Sequence, residues 1–133
     1  MSTRSAIGIK NSDGFITGVY CHYDGYLDHN GRILKEHYDN KNKVEELLSY
    51  GDMSSLRENI NPNDNEEHNF EHKQRDVCVF YHRDRGESWE DTAPCGFDNE
   101  KDFTDYYSDS DYYYLFNNGW EYKTYKNNDW KVL

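Results

Sequence analysis

The sequence predicts an α+β domain, an antiparallel sheet with two or three short helices packed on one face. Three observations predict it. Apolar runs flank an Asp-Gly pair near the start, two short helix-period stretches follow, and the second half is aromatic and strand-like up to an Asn-Asn-Gly turn. At 133 residues the chain is the size of one domain, residues 1–133.

Ser5–Ile9 and Phe15–Tyr23 are apolar enough to pair, and Asn11-Ser12-Asp13-Gly14 between them is a hairpin signal. From Asn30 the period changes. Ile33, Leu34, His37 and Tyr38 share one helical face, and Val44, Leu47 and Leu48 share another. Asn42 with Glu45 three residues later predicts a capping box, and Gly51 a C-terminal stop. Leu56 and Ile60 predict one more helical turn before Pro62. Each helix has about three apolar positions, too few for stability alone, so both must pack on the sheet.

Asn61–Arg75 is polar and reads as a loop. Asp76–His82 reads as a central strand because its apolar run is continuous, with Ser88–Thr92 returning beside it. Tyr112–Phe116 and Trp120–Tyr125 flank Asn117-Asn118-Gly119, a three-residue hairpin connection. Trp130, Val132 and Leu133 predict a last short strand.

Aromatic residues make up 17% of the chain, and their large rings allow a core even though only 35% of residues are apolar. Net charge is −11 and unevenly placed. Residues 1–50 hold six Lys/Arg and seven Asp/Glu, whereas residues 51–133 hold nine and nineteen. Such a field repels phosphate backbones and anionic bilayers, so direct nucleic-acid binding and membrane binding are not expected. It suits a basic protein surface, or a site that nucleic acid normally occupies. No apolar leader or spanning run is present, and the three cysteines cannot all pair within one chain; both features predict a cytoplasmic protein.

Cys21-His22-Tyr23-Asp24-Gly25-Tyr26 is the densest group of reactive residue types. It lies where a strand gives way to a glycine turn, a common place for a binding residue. On an extended strand His22 and Asp24 point the same way, which would let Asp24 orient His22 or let both grip a polar ligand. Arg4, Arg83 and Arg85 are candidates to cradle a phosphorylated small molecule, since the guanidinium fork matches phosphate oxygens. The candidate ligand-binding set is therefore Arg4, His22, Asp24, Tyr26, Arg83 and Arg85. The core and turn roles of the same residues are the competing reading.

His68-Asn69-Phe70-Glu71-His72 matches the H-x-x-E-H spacing of zinc peptidases, but its polar setting offers no amphipathic helix and no third ligand. Cys78 and His82 lie too far apart on a straight strand to share a metal. The reading assigns no catalytic residue, no cofactor and no metal. A second candidate surface is acidic and aromatic: Asp98, Glu100, Asp102, Asp105, Tyr106, Tyr107, Asp109 and Asp111. Tyrosine suits interfaces, and carboxylates along one surface would imitate the charges of a nucleic-acid strand.

Thr3-Arg4-Ser5-Ala6-Ile7-Gly8 and Tyr20-Cys21-His22-Tyr23-Asp24-Gly25-Tyr26, with Gly31, Leu34, His37-Tyr38 and Leu47–Leu56, resemble a small uncharacterised family encoded by bacteriophages and prophages. The resemblance covers the first 56 residues and touches the aromatic tail. It implies the cytoplasm of an infected or lysogenic host, and an accessory factor that blocks host enzymes or defence complexes or sequesters a signalling nucleotide.

Together these readings predict a non-enzymatic inhibitor of a basic host defence or nucleic-acid-processing protein, bound stoichiometrically through the acidic, tyrosine-rich surface. One alternative is a protein that binds or hydrolyses a small molecule such as a nucleotide, centred on His22 and Asp24 with arginine contacts to phosphate. Another is a phage structural or assembly component that self-associates as a homodimer.

Overall fold

The computed structural model describes residues 2–133. β1 (Ser5–Lys10) and β2 (Ile16–Cys21) form the expected antiparallel hairpin, turned at Asn11–Gly14, where Gly14 N–H donates to Asn11 O. β6 (Tyr112–Phe116) and β7 (Trp120–Thr124) form the second hairpin, with the Asn117–Gly119 turn also as expected. These hairpins do not meet in the antiparallel manner. β6 lies parallel to β1, Ser5 opposite Tyr112 through Ile9 opposite Phe116. β3 (Met53–Ser55) lies parallel to β2, so the eight-stranded sheet is mixed; with β4 (Val79–Phe80), β5 (Cys95–Phe97) and β8 (Lys131–Val132) the order is β4-β3-β2-β1-β6-β7-β8, and β5 pairs with β2.

β1 is central, and side chains alternate across it. Ile7 and Ile9 face one core together with Val19, Tyr114 and Phe116; Ala6 faces a second core with Ile16, Tyr113 and Leu115. α1 (Arg32–His37) and α2 (Lys41–Ser49) cover the first face through Ile33, Leu34, Val44, Leu47 and Leu48. α2 starts two residues earlier than the expected capping box: Asn40, not Asn42, is the N-cap, its side chain accepting from Lys43 N–H at 2.9 Å. Gly51 ends it at φ 82°, as foreseen.

The second face carries α5 (Glu100–Tyr106), so the helices are not confined to one side. Gly8 and Gly18 are cross-strand partners, and both are bare on that face. The Phe103 ring fills the hollow; a Cβ on Gly18 would come within 2.6 Å of it. Glycine at 18 is what lets the ring approach so closely, and a Cβ on Gly8 would already crowd it at 3.2 Å.

Two other expectations fail in the middle of the chain. The strand expected over Asp76–His82 shrinks to β4 (Val79–Phe80) at the sheet edge. The Asp84 carboxylate accepts from Phe80 N–H at 2.8 Å, and the chain turns at once into α3 (Tyr81–Arg85). A strand partner is thereby replaced by a side chain. Residues 89–92 form a helical turn, α4 (Trp89–Thr92), rather than a strand; β5 (Cys95–Phe97) then pairs with β2. Leu56 and Ile60 are buried in irregular chain after β3 instead of forming a helical turn. β8 (Lys131–Val132) pairs with β7. No helix among the described residues is long and apolar enough to cross a membrane.

Truncating Phe103 leaves a cavity over two glycines that cannot collapse around it. Phe103→Ala is expected to cost about 3–5 kcal/mol, read as a lowered urea midpoint with an unchanged slope.

Candidate functional site

β2 ends at Cys21, so His22 and Asp24 do not share a strand face. His22 Nδ1 and the Tyr20 hydroxyl share a hydrogen bond at 2.8 Å, and the His22 ring packs edge-on to Tyr23. Burial, then the nearby Arg4 charge, lowers its pKa, so the neutral ring is favoured. Arg4 is thus brought close to His22, while its own backbone N–H donates to Asp111 at 3.2 Å. The expected His22–Asp24 pair does not form.

Asp24 instead takes the left-handed conformation, φ 59°, which short polar side chains tolerate. Gly25 follows, packed so tightly that a Cβ would meet Thr3 O at 2.9 Å, and its carbonyl accepts from Tyr114 O–H at 2.6 Å. The next residues form a π-helical turn, Leu27–Gly31. Left-handed non-glycine residues and π-turns both concentrate at functional sites.

This irregular segment swings His29 towards Asp24, and Arg57, just beyond β3, meets them. Asp24 Oδ2 lies 4.0 Å from His29 Nε2 and 4.0 Å from Arg57 Nη1. The tautomer of His29 follows from its neighbours. Asn30 Nδ2 donates to Tyr23 O, which can only accept, so Asn30 Oδ1 is the atom facing His29 Nδ1 at 2.9 Å. Nδ1 therefore carries the proton, and Nε2 accepts from Arg57 Nη1 at 3.1 Å. Behind them Asn30 is fully buried and also donates towards Ser5 Oγ and Cys21 Sγ. Burial pushes the Cys21 thiol up to about 12, so it stays protonated and inert. The side chains of Asp24, His29 and Arg57 remain 37%, 21% and 30% exposed, half-open on a rigid base. Tyr26 is exposed beside His29, ring centroids 6.1 Å apart.

Arg83 and Arg85 do not join this group. Arg83 clamps the polar loop: Nη1 donates to Ile60 O, Nη2 to Cys78 O, and Nε to the buried Asp84. His68 belongs to the same clamp. Its side chain is 1% exposed, its Nε2 donates to Cys78 O, and its Nδ1 accepts from Gln74 N–H. The H-x-x-E-H segment is a turn and not a helix, its Asn69 side chain accepting from Glu71 and His72 N–H. Arg85 lies over Phe70 and pairs with Glu87.

The acidic set is sorted by α5. Asp102, Asp105 and Tyr106 stand at i, i+3 and i+4 on its outer side, all exposed, Tyr106 at 63%. Asp98 and Asp109 are exposed at its two ends. Asp105 pairs with Lys101 on the same exposed side at 2.6 Å, and three other expected contact residues are engaged away from it. Glu100 pairs with Lys10 at 3.3 Å, Asp111 holds Arg4 N–H, and Tyr107 is core, donating its hydroxyl to Gly18 O at 3.0 Å.

Asp52, absent from the sequence reading, occupies a break in the sheet. β5 and β3 both use the outer edge of β2, at Ile16–Gly18 and at Cys21, and Tyr20 N–H between them donates to Asp52 Oδ1 at 2.9 Å. His29 and Arg57 were missed too. Nothing in their local sequence separates them from solvated residues; only the π-turn and the β2–β3 pairing bring them to Asp24. The chain matches no family model, no curated protein and no solved structure.

Burial raises the Asp52 pKa to about 6. The carboxylate costs the fold nothing while protonated, below the unfolded value near 3.8, and the penalty is complete once pH passes about 6. Asp52→Asn, which keeps the acceptor for Tyr20, is expected to stabilise the protein at neutral pH by about 1–2 kcal/mol after allowance for solvent screening. Urea unfolding should show that advantage shrinking to nothing in acid, below the unfolded value.

Proposed function

We propose that the protein is an accessory inhibitor, of the bacteriophage kind its first 56 residues resemble, that binds a basic host defence or nucleic-acid-processing protein stoichiometrically through the outer face of α5. The observation that carries this reading is the placement of Asp102, Asp105 and Tyr106 on one exposed helix face, continued by Asp98 and Asp109. Between Arg85 and Lys123 the only basic residue is Lys101, and its ammonium is already engaged by Asp105. The face therefore keeps a net negative field around an aromatic anchor. Carboxylates there steer a basic partner and set its orientation, and Tyr106 supplies apolar contact at little entropic cost. Phe103 and Tyr107 beneath are buried, so the face is presented on a packed support.

The prediction is a one-to-one complex with a basic host protein whose affinity falls with salt. Asp102→Asn/Asp105→Asn should weaken it about tenfold or more, chiefly through slower association, measured by surface plasmon resonance at two ionic strengths. An unchanged rate and salt slope in a complex that forms would remove the α5 face from the interface.

A further inference from the structure

We propose that Asp24, His29 and Arg57, with Tyr26, form a binding site for a nucleoside monophosphate, on a part of the molecule independent of the α5 face. The argument begins with what Arg57 has left to give. Its Nη1 is committed to His29 Nε2 and Leu56 O, whereas Nε and Nη2 have no hydrogen-bond partner among the described residues. Those two N–H groups lie on one edge of the guanidinium and match two oxygens of a phosphate or carboxylate. Arg83, by contrast, has donors on all three nitrogens in use.

Asp24 offers the complementary chemistry. Its carboxylate accepts no hydrogen bond from the described residues, and its 4.0 Å separations from Arg57 and His29 are too long for direct bonds. A vicinal diol or other hydroxyl can therefore donate to it without displacing anything. Tyr26 is the third element, an exposed ring next to His29 on which a flat base can stack. An oxyanion, a hydroxyl and an aromatic plane are the three parts of a nucleotide. Arg57 is the guanidinium placed against Asp24 and His29, and with a protein charge of −11 it favours a single phosphate, because each further phosphate meets repulsion without a partner there.

The site is held rather than improvised. Asn30 locks the His29 ring from behind. Asp24 O accepts from Asn30 N–H, Gly25 N–H donates to Thr3 O, and the buried Tyr114 hydroxyl ties down Gly25 O. Arg57 N–H is anchored on the buried Cys78 Sγ, and its carbonyl accepts from Tyr38 O–H. The left-handed Asp24 and the π-turn are the backbone distortions that bring the three side chains together. Their strain is offset by these anchors, which is the pattern of a preorganised binding loop.

The test is a titration of the full chain with AMP, UMP and inorganic phosphate, followed by NMR at the His29 ring and the Arg57 Nε–H. Saturable shifts with AMP or UMP are expected, with inorganic phosphate about tenfold weaker or more. Arg57→Gln should abolish the response, Asp24→Asn should weaken it about tenfold, and Tyr26→Ala several-fold. Asparagine tolerates the left-handed conformation and Tyr26 is exposed, so these two variants carry the test even if Arg57→Gln fails to fold. No saturable shift in the wild-type protein overturns the proposal. So does inorganic phosphate binding as tightly as the nucleotides, or Asp24→Asn and Tyr26→Ala both binding like wild type.

Discussion

The packing of Phe103 over Gly8 and Gly18 is the contact on which the rest of the architecture depends. Two facing glycines leave the middle of the β1–β2 ladder without side chains on one face, and a sheet so depleted would be weak if left bare. The ring restores the lost apolar contact and pins α5 to the sheet. Tyr107 then reaches Gly18 O, and Tyr113 reaches Tyr107 O, so the same glycine hollow organises a small hydrogen-bonded aromatic core. With Phe103 and Tyr107 turned inward, Asp102, Asp105 and Tyr106 have only the outer face left. The acidic surface is a by-product of how that hollow is filled.

The heavy load of tyrosine divides accordingly. Tyr38, Tyr107, Tyr113 and Tyr114 are buried, and each directs its hydroxyl to a backbone carbonyl. Burial raises the pKa of all four, so they remain protonated donors. These phenols bond carbonyl groups where helices, turns and strands meet, including Gly25 at the base of the Asp24 loop. Tyr23, Tyr26, Tyr106 and Tyr125 are exposed and offer a ring to another molecule, while Tyr20, Tyr50, Tyr81, Tyr112 and Tyr122 are half-buried.

Two groups of the same chemistry, Asp–Arg–His, meet opposite fates by burial. Asp84 and His68 lie inside and the half-buried Arg83 closes over them, with carbonyls and amides of the polar loop satisfying all three, and they hold that loop against the edge of the sheet. Removing one partner there would strand a buried charge. Asp24, Arg57 and His29 sit at the rim, where water still reaches each of them and donors and acceptors remain uncommitted. Position in the fold, not residue type, separates the clamp from the candidate site.

By itself the sequence determined whatever depends on near neighbours. The Asp-Gly and Asn-Asn-Gly hairpins, α1 and α2, and the stop at Gly51 follow from turn chemistry and apolar spacing, which act over a few residues. The α+β class and the uneven charge were legible for the same reason. Long-range pairing was decided only by the tertiary structure: β6 parallel to β1, α5 on the second face, and β4 cut short when the Asp84 carboxylate took a backbone donor that a neighbouring strand would have used. The site behaves likewise. Asp24 and its loop could be singled out in sequence, but Arg57 lies 28 residues from the His29 it bonds. That contact exists because β3 runs parallel to β2 and ends beside the π-turn, and no local pattern encodes such a pairing.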